Sequence, residues 1–430
     1  MTAVDGADWV VGRGTGGSWQ AVKALREGAA AAELSRAASW ARGFPRLAAL
    51  GIPRSAADVL GASSAERSSL LLHPAMDFWL SQLPGFLSGE RPAEEAILQG
   101  AFFQSFGAAA AVLGTRARGL KVLLTRDARF HATGTRLSLQ FPKECAGREA
   151  EVRASRGRLS GRCGTARGAV RVLPALAPGM WVEQDDPLVL SAVVMHGLAR
   201  NGAAAQRRFV AVLSAAMSRL ASVDPALSCE MTDFLRLIVP LANPKDYGSV
   251  SSSYRNLRGA LCLSHSEDRL LQEETLIHEF CHLKANLLTA ADPLLKPGQG
   301  GQVLYSPLRP DPRRLWGLLL GAHAFINVNR YLLAVLRRED FSPKARNSVQ
   351  ANIARRLLHV DDMLRTVSLY AELTPVGERF QARMWREHAL TLHDALSFPA
   401  GATAAGHSRS LEHRAAKAAG ATGFFREEGA

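Results

Sequence analysis

Residues 276–282 read LIHEFCH, an H-E-x-x-H motif that decides how the rest of the chain is interpreted. Side chains four residues apart lie on one face of an α-helix, about one turn from each other. On such a helix His278 and His282 bring two imidazoles to one metal ion, with Glu279 beside it. The leucines around the motif have the spacing of a buried helix. The sequence therefore predicts a buried metal-binding helix.

The segment before the motif predicts how this helix begins and what lies beside it. Ser264-x-x-Glu267 has the form of a capping box. Residues 248–254, GSVSSSY, read as a polar loop, and the alternation over residues 257–263 predicts a short strand that leads into the helix. An edge strand beside a metal helix can accept an extended peptide backbone as a further strand. This arrangement favours a peptide substrate.

A third metal ligand is expected later in the chain, because two imidazoles leave a divalent metal under-coordinated. The extended metzincin pattern does not supply it, since Ala285 and Leu288 stand where that pattern has its glycine and last histidine. We expect His323, an imidazole within the apolar stretch LLLGAHAF, to be this ligand, although a lone histidine on an apolar helix is more often a core residue. Its carboxylate competitors are Asp292, which ranks next, Asp311 and Glu339.

A proline-stiffened loop, YSPLRPDPRRLW at residues 305–316, lies between the second and third expected ligands. It carries three arginines, and a guanidinium offers a planar fork that grips a carboxylate with two hydrogen bonds. Arg309 and Arg313 are therefore candidates for binding a carboxylate near the metal. The alternative is that these arginines cap helix ends or pair with nearby acids on the surface.

The composition describes a folded protein with an arginine-biased surface. The 430 residues are 47% hydrophobic and 21% charged, which excludes a disordered or fibrous chain. The formal net charge is +13, but only eight of the 52 basic residues are lysines. No Lys/Arg-rich run or interleaved aromatic pattern is present, so we expect a solvated basic surface and no nucleic-acid partner.

Targeting signals are not evident in the sequence. No run approaches the roughly 18 consecutive apolar residues of a membrane span, and residues 1–9 lack the basic start and apolar core of a signal peptide. The five cysteines are scattered, with no CxxC pair, and are expected to be reduced. We therefore expect a cytoplasmic protein that does not associate with a membrane.

The expected fold class is α+β and predominantly helical, with a zincin-like HExxH helix, an adjacent short sheet and a small antiparallel β region. Residues 1–120 predict an N-terminal helical region, and the alternating β-branched runs over residues 121–200 predict a small β-rich region. Residues 201–400 predict a helical HExxH catalytic domain. Residues 401–430, rich in alanine and glycine, predict a flexible tail.

In order and spacing these segments resemble the HExxH-type peptide modification proteins, which are encoded with ribosomally made peptide natural products. The resemblance covers about residues 234–374 and rests on the serine-rich loop and strand, LIHEFCH, YSPLRPDPR and LGAHAF. A weaker likeness lies at residues 71–79, LLHPAMDFW. Members of that family often have a histidine directly before the glycine of the last segment, where this chain has Leu320.

The resemblance implies an Fe(II)- and 2-oxoglutarate-dependent dioxygenase that uses O2 to hydroxylate the β-position of a side chain in a ribosomal precursor peptide. It makes His278, His282 and His323 iron ligands. It also makes the loop with Arg309 and Arg313 the binding site for the cosubstrate.

The role of Glu279 depends on which chemistry the site performs. In an oxygenase it orients a metal ligand or a water molecule. In the alternative, a zinc metallopeptidase that acts on a peptide, it activates the attacking water as a general base. A further alternative is a protein that binds the precursor peptide and has a vestigial metal site.

Overall fold

Twelve α-helices and several small sheets make up the described part of the chain, which is a predominantly helical α+β fold as the sequence predicts. The structure is a computed structural model. It describes residues 16–42, 52–88, 93–114, 117–186, 189, 190, 193, 199, 202–243, 249–308 and 311–418.

Five helices form the N-terminal part: α1 (Gly16–Arg42), α2 (Ile52–Leu60), α3 (Ser64–Leu71), α4 (Pro74–Leu87) and α5 (Ala93–Leu113). His73 caps α4, since its Nδ1 accepts the backbone N–H of Ala75 at 3.2 Å, and Pro74 takes the first helical position. In the same helix Asp77 accepts hydrogen bonds of 2.9 and 2.6 Å from the Arg258 guanidinium. This bidentate pair ties α4 to the segment just before the metal helix.

Two antiparallel sheets follow, as expected for the β-rich region. One has the order β1-β4-β5-β6 and the other the order β2-β3-β7. Alternate residues of β4 are buried, namely Ala150, Val152 and Ala154, as a sheet with one face on a core requires. The strands are β1 (Arg118–Leu123), β2 (Arg129–His131), β3 (Leu137–Gln140), β4 (Glu149–Ser155), β5 (Arg158–Cys163), β6 (Ala166–Arg167) and β7 (Ala169–Val172).

A five-stranded sheet lies beside the metal helix and has the order β11-β12-β10-β9-β8. Its strands are β8 (Ala175–Ala177), β9 (Met180–Val182), β10 (Leu237–Leu241), β11 (Ser251–Ser252) and β12 (Ala260–Ser264). Strands β9, β10 and β12 are parallel to one another. The short strand β11 is antiparallel to β12, with Ser251 opposite Leu263 and Ser252 opposite Cys262, and it forms one edge of the sheet.

The remaining helices are α6 (Ala203–Val223), α7 (Pro225–Phe234), α8 (Arg269–Ala291), α9 (Leu315–Arg338), α10 (Pro343–Tyr370), α11 (Pro375–Ala395) and α12 (Ala400–Ala418). Helix α8 carries the HExxH motif. Before α9, the strands β13 (Val303–Leu304) and β14 (Arg313–Arg314) form a small antiparallel pair. Helices α8, α9, α10 and α11 contribute the largest share of one hydrophobic core.

The two faces of the five-stranded sheet belong to two different cores. Ile238 and Leu261 lie in the core built by helices α6 to α11. Leu237, Val239 and Cys262, which alternate with them, lie in the core built by the N-terminal helices and the antiparallel sheets. The period of two along each strand produces this division. The N-terminal helical region and the β-rich region therefore share one core, which also includes strands from residues 237–262.

The expectation of a flexible tail from residue 401 is wrong for the first part of that segment. Residues 400–418 form helix α12, which packs on α10. A Cβ atom at Gly406 would lie 2.5 Å from the backbone oxygen of Ala351 and 2.9 Å from the Cβ of Ala354. The small residues that suggested a loose chain instead allow two helices to approach closely. Residues 419–430 lie outside the described residues.

Helix α9, Leu315–Arg338, has the length and mean hydropathy of a membrane-spanning helix, at 1.3 over its most apolar 18-residue window. It is the one helix among the described residues with these properties, and 67% of that window is buried inside the protein. Tyr331 and His323 are among its fully buried side chains. A core helix packed on all sides has the same composition.

Candidate metal centre

Helix α8 begins at Arg269, and its start differs from the expected capping box. Asp268 is the N-cap and accepts the backbone N–H of Leu271 at 3.1 Å. Ser264 lies in strand β12, and the carboxylate of Glu267 contacts the His265 imidazole at 2.8 Å instead. The sequence signal identified the right region but placed the cap four residues too early.

Buried ion pairs fix α8 on the side away from the motif. The Glu273 carboxylate accepts hydrogen bonds from Arg219 of α6 at 3.0 Å and from the Tyr331 hydroxyl of α9 at 2.9 Å. Burial raises the pKa of Glu273, an effect that the charge of Arg219 opposes. Farther along, Lys284 donates to Glu230 of α7 at 2.7 Å, and both side chains are almost fully buried. These contacts hold α8 in one position relative to three other helices.

The structure brings His278, Glu279 and His282 together as one group of potential metal donors. One ligand atom from each lies within 4.8 Å of the other two. The two imidazole rings are 4.4 Å apart between centroids and inclined by 78°. Both histidines are half-buried, while Glu279 is only 4% exposed. The helical spacing of the motif predicted the two imidazoles, and the carboxylate is close enough to join them.

Glu279 is held from the edge strand. The Ser251 hydroxyl of β11 donates a hydrogen bond of 2.7 Å to Oε1 of Glu279. The second oxygen, Oε2, is buried and has no hydrogen-bond partner among the described residues. A buried carboxylate oxygen without a partner is costly, so this atom is suited to a bound metal or to a polar ligand on it.

The buried thiol of Cys262 lies close enough to Glu279 to be affected by its charge. Burial raises the pKa of the Cys262 thiol to about 12, and the negative charge of Glu279 contributes further, whereas a hydrogen bond with Ser252 opposes the shift. Cys262 is therefore a neutral thiol at neutral pH. It therefore adds no charge to the surroundings of the donor group.

His323, which the sequence analysis expects as the third ligand, is not a member of the group formed by His278, Glu279 and His282. Its ring is fully buried and lies 5.5 Å from the Phe380 ring of α11. Phe325, two residues later on α9, instead faces the motif, at 4.9 Å from the His278 ring. Residues two apart on a helix point about 200° apart. Phe325 and His323 therefore point to different sides of α9, Phe325 towards the His278 ring and His323 towards the Phe380 ring.

The carboxylates that compete with His323 are also engaged elsewhere. Asp292 caps the end of α8 and accepts the Thr374 hydroxyl at 2.6 Å and the backbone N–H of Leu294 at 2.8 Å. Asp311 pairs with Arg313 at 3.2 Å. Glu339 lies beside Arg219. Sequence reasoning ranked these residues by proximity along the chain, which did not reveal their hydrogen-bond partners.

The expected carboxylate clamp is described only in part. Arg309 lies outside the described residues. Arg313, in β14, directs its Nε to Asp311 at 3.2 Å, and its side chain is 38% exposed. This is the surface pairing that the sequence analysis gave as the alternative.

Two other arginines, which sequence reasoning missed, flank the donor group along α8. Arg356 of α10 binds Glu274, one turn before His278, and its guanidinium lies 5.6 Å above the Phe325 ring. Arg255 lies three residues beyond β11, and its Nε donates to Oδ1 of Asn286 at 3.2 Å. The spacing of four residues places Glu274 and Asn286 on the face of α8 that carries the two histidines, but it does not indicate which arginines bind them.

Two imidazoles and a carboxylate with a free buried oxygen fit a divalent metal ion. Imidazole and carboxylate ligands suit both non-haem iron and zinc. The hydrogen bond from Ser251 orients the carboxylate of this group. The sequence matches no model of a known protein family and no curated protein.

Proposed function

We propose that this protein is a metal-dependent enzyme that hydroxylates a side chain of a ribosomally made precursor peptide, with Fe(II), 2-oxoglutarate and O2. The observation that carries this proposal is the donor group of His278, Glu279 and His282 directly beside the antiparallel edge strand β11. The resemblance of residues 234–374 to HExxH-type peptide modification proteins supplies the reaction. The structure supplies reasons for a peptide substrate and for a metal.

The support for a peptide substrate comes from the edge of the five-stranded sheet. Strand β11 is the last strand in the order β11-β12-β10-β9-β8. An extended peptide that pairs with such an edge uses its own backbone groups for binding and directs alternate side chains to each face. Because Ser251 of this strand contacts Glu279, a peptide on β11 would pass beside the donor group.

The support for iron comes from the chemistry of the donors. Two imidazoles and one carboxylate are the composition of the facial set that holds Fe(II) in many oxygenases and leaves coordination positions open. His278, His282 and Glu279 would hold the metal. A bound iron would supply the site at which O2 oxidises the 2-oxo acid to succinate and CO2 and a peptide C–H bond to C–OH, with one oxygen atom going to each product. Ser251 orients the carboxylate through a hydrogen bond of 2.7 Å.

The test is mass spectrometry of a peptide encoded beside the gene, incubated with Fe(II), 2-oxoglutarate and O2. We expect one added oxygen in the peptide and a matching amount of succinate. Omission of Fe(II), 2-oxoglutarate or O2 should abolish both the oxygenated peptide and succinate. Peptide that remains unmodified while no succinate forms, with the metal bound, would exclude this proposal.

A zinc metallopeptidase is the second candidate, and the free Oε2 of Glu279 favours it. A buried carboxylate oxygen inside a group of metal donors is where a general base for water activation would lie. The same incubation distinguishes the two. Cleaved peptide that requires Zn(II) and does not require 2-oxoglutarate would establish hydrolysis in place of hydroxylation.

A further inference from the structure

Arg255 presents its guanidinium in an arrangement suited to binding an anion. Its Nε donates to Oδ1 of Asn286 at 3.2 Å, and its Cζ lies 5.0 Å from the centroid of the Trp316 ring at the start of α9. Stacking and the Nε hydrogen bond fix the plane of the guanidinium, while the side chain as a whole is exposed. The two terminal nitrogens form a planar fork that matches a carboxylate.

The other arginines that contact α8 are neutralised by carboxylates. Arg219 and Arg269 pair with Glu273. Arg356 pairs with Glu274. Among the described residues no carboxylate lies within ion-pairing distance of Arg255, whose partners are the Asn286 amide and the Trp316 ring. Arg255 is thus a fixed positive charge beside this helix that the protein does not itself compensate within the described ranges.

The position of Arg255 relates this charge to the donor group. Asn286 lies four residues after His282, so the two share a face of α8 and are about 6 Å apart along the helix axis. Arg255 also lies three residues after β11, the strand on which a peptide would lie. A carboxylate at Arg255 would therefore be near both the metal and the peptide.

We propose that Arg255, held by Asn286 and Trp316, binds a carboxylate beside the metal centre. This inference rests on the proposed function and assigns to that site a residue outside the Arg309 and Arg313 loop. Such a carboxylate has two sources: the distal end of 2-oxoglutarate, or an acidic side chain of the peptide. A five-carbon diacid that chelates the metal through one end reaches about one helical turn with the other.

The experiment measures binding rather than turnover, by titration calorimetry on the full chain loaded with Zn(II), which has no redox chemistry. The probes are 2-oxoglutarate and 2-oxobutyrate, which share the chelating end but differ in the distal carboxylate. Two pentapeptides with blocked ends test whether the ligand is an acidic side chain of the peptide. They are Ala-Ala-Asp-Ala-Ala and Ala-Ala-Asn-Ala-Ala, which differ only in the central carboxylate. The variants are Arg255→Gln and the control Arg365→Gln, whose exposed arginine is paired with Asp361.

If the diacid is the ligand, Arg255→Gln weakens 2-oxoglutarate binding by about ten- to a hundredfold and leaves 2-oxobutyrate unchanged, because only the charge-assisted contact is lost. If the acidic side chain is the ligand, the variant removes the preference for the Asp peptide over the Asn peptide. Arg365→Gln behaves as the parent protein in both cases. Asn286→Leu, which removes the Nε anchor but not the charge, gives a smaller loss of the same kind.

Unchanged binding of all four probes in Arg255→Gln would overturn the proposal. This result is distinct from failure of the proposed function. If the parent protein forms succinate but Arg255→Gln binds every probe normally, the hydroxylase stands and the carboxylate site falls. If no succinate forms yet recognition of the Asp peptide depends on Arg255, the carboxylate site stands and the hydroxylase falls.

Discussion

The Ser251 hydroxyl donates a hydrogen bond of 2.7 Å to Oε1 of Glu279, so the edge strand and the metal helix meet at the carboxylate itself. A peptide that pairs with β11 would change the position or the mobility of the strand that holds Glu279. Peptide binding and the orientation of this carboxylate would thereby be coupled through one hydrogen bond.

Replacing Ser251 with alanine should lower turnover while the metal stays bound. A lost hydrogen bond to a charged group is worth about 1.5–3 kcal/mol, or about ten- to a hundredfold, if the bond is needed in the reacting complex. The measurement is kcat together with metal content. Ser253→Ala, in the same loop, is the control. An unchanged kcat in Ser251→Ala would show that the bond does not position Glu279 during the reaction.

Metal content should separate the three histidines. His278→Ala and His282→Ala should each fold and lose most of the bound metal, because two remaining donors seldom hold a labile divalent ion. His323→Ala should retain metal and lose thermal stability, since its ring packs against Phe380 in the core. Elemental analysis of the purified variants provides the measurement. Metal loss from a folded His323→Ala protein would restore that imidazole as a ligand.

Glu279→Gln should distinguish the two candidate reactions. The amide keeps the shape of the side chain but is a weaker metal donor, so assays need saturating metal. Hydrolysis should then fall by the roughly 10²–10⁴-fold typical of a lost general base. Hydroxylation should remain measurable, because the oxidant drives that reaction. Complete loss of hydroxylation in a fully metallated variant would assign Glu279 an essential role in the oxygenase chemistry.

The buried network behind the motif should contribute strongly to stability. Glu273→Ala leaves Arg219 buried without this partner, and breaking such a pair typically costs about 3 kcal/mol or more. Denaturant unfolding measures the change. Arg365→Ala, which removes an exposed pair with Asp361, is the control and should have no measurable effect. Equal effects of the two substitutions would contradict the assigned role of Glu273.

The protein should lose stability as the pH falls below 6.5. Burial lowers the pKa of His73 and of His131 from 6.5 to about 3, and nearby Arg236 and Arg129, respectively, add to the effect. The unfolded chain takes up protons below pH 6.5 that the folded protein does not. Stability is therefore complete above pH 6.5 and is lost progressively towards pH 3, by at most about 1.4 kcal/mol per pH unit for each histidine.

His73→Asn isolates one of these two contributions. Asparagine is a good N-cap and can accept the Ala75 N–H, but it does not titrate. Denaturant unfolding across pH 4–7 should show a shallower dependence in the variant, with the share of His131 remaining. An unchanged pH dependence would mean that His73 does not contribute to it.

The sequence predicted the helical class, the start of the β-rich region and the two imidazoles of α8, because these follow from local periodicity. Periodicity along one helix also gave the position of Glu279 beside them. It could not indicate that Phe325 contacts the His278 ring and His323 the Phe380 ring, since these contacts depend on how α9 packs between α8 and α11. Periodicity also could not show which carboxylates are free to bind a metal. Asp292 is engaged by Thr374 and Glu339 by Arg219, and both partners are far away in the sequence.

The small residues of the last helix show the converse error. Alanine and glycine suggested a loose segment after residue 401, because intrinsic composition alone carries no information about a partner surface. Gly406 and its neighbours instead give α12 a flat face that fits closely on α10. Arg255 was missed for a related reason, since a single arginine after a serine-rich loop has no sequence pattern that links it to Asn286.

The five-stranded sheet has a consequence for attempts to isolate the catalytic half of the chain. Strands β8 and β9 come from residues before 201, and Leu237, Val239 and Cys262 are covered by the N-terminal core. A fragment that begins at residue 201 would lose two strands and expose an apolar sheet face next to an unpaired β10 edge. Such surfaces associate with further strands. Excision at this boundary should therefore yield aggregates rather than a smaller folded protein, although the HExxH helix would be intact.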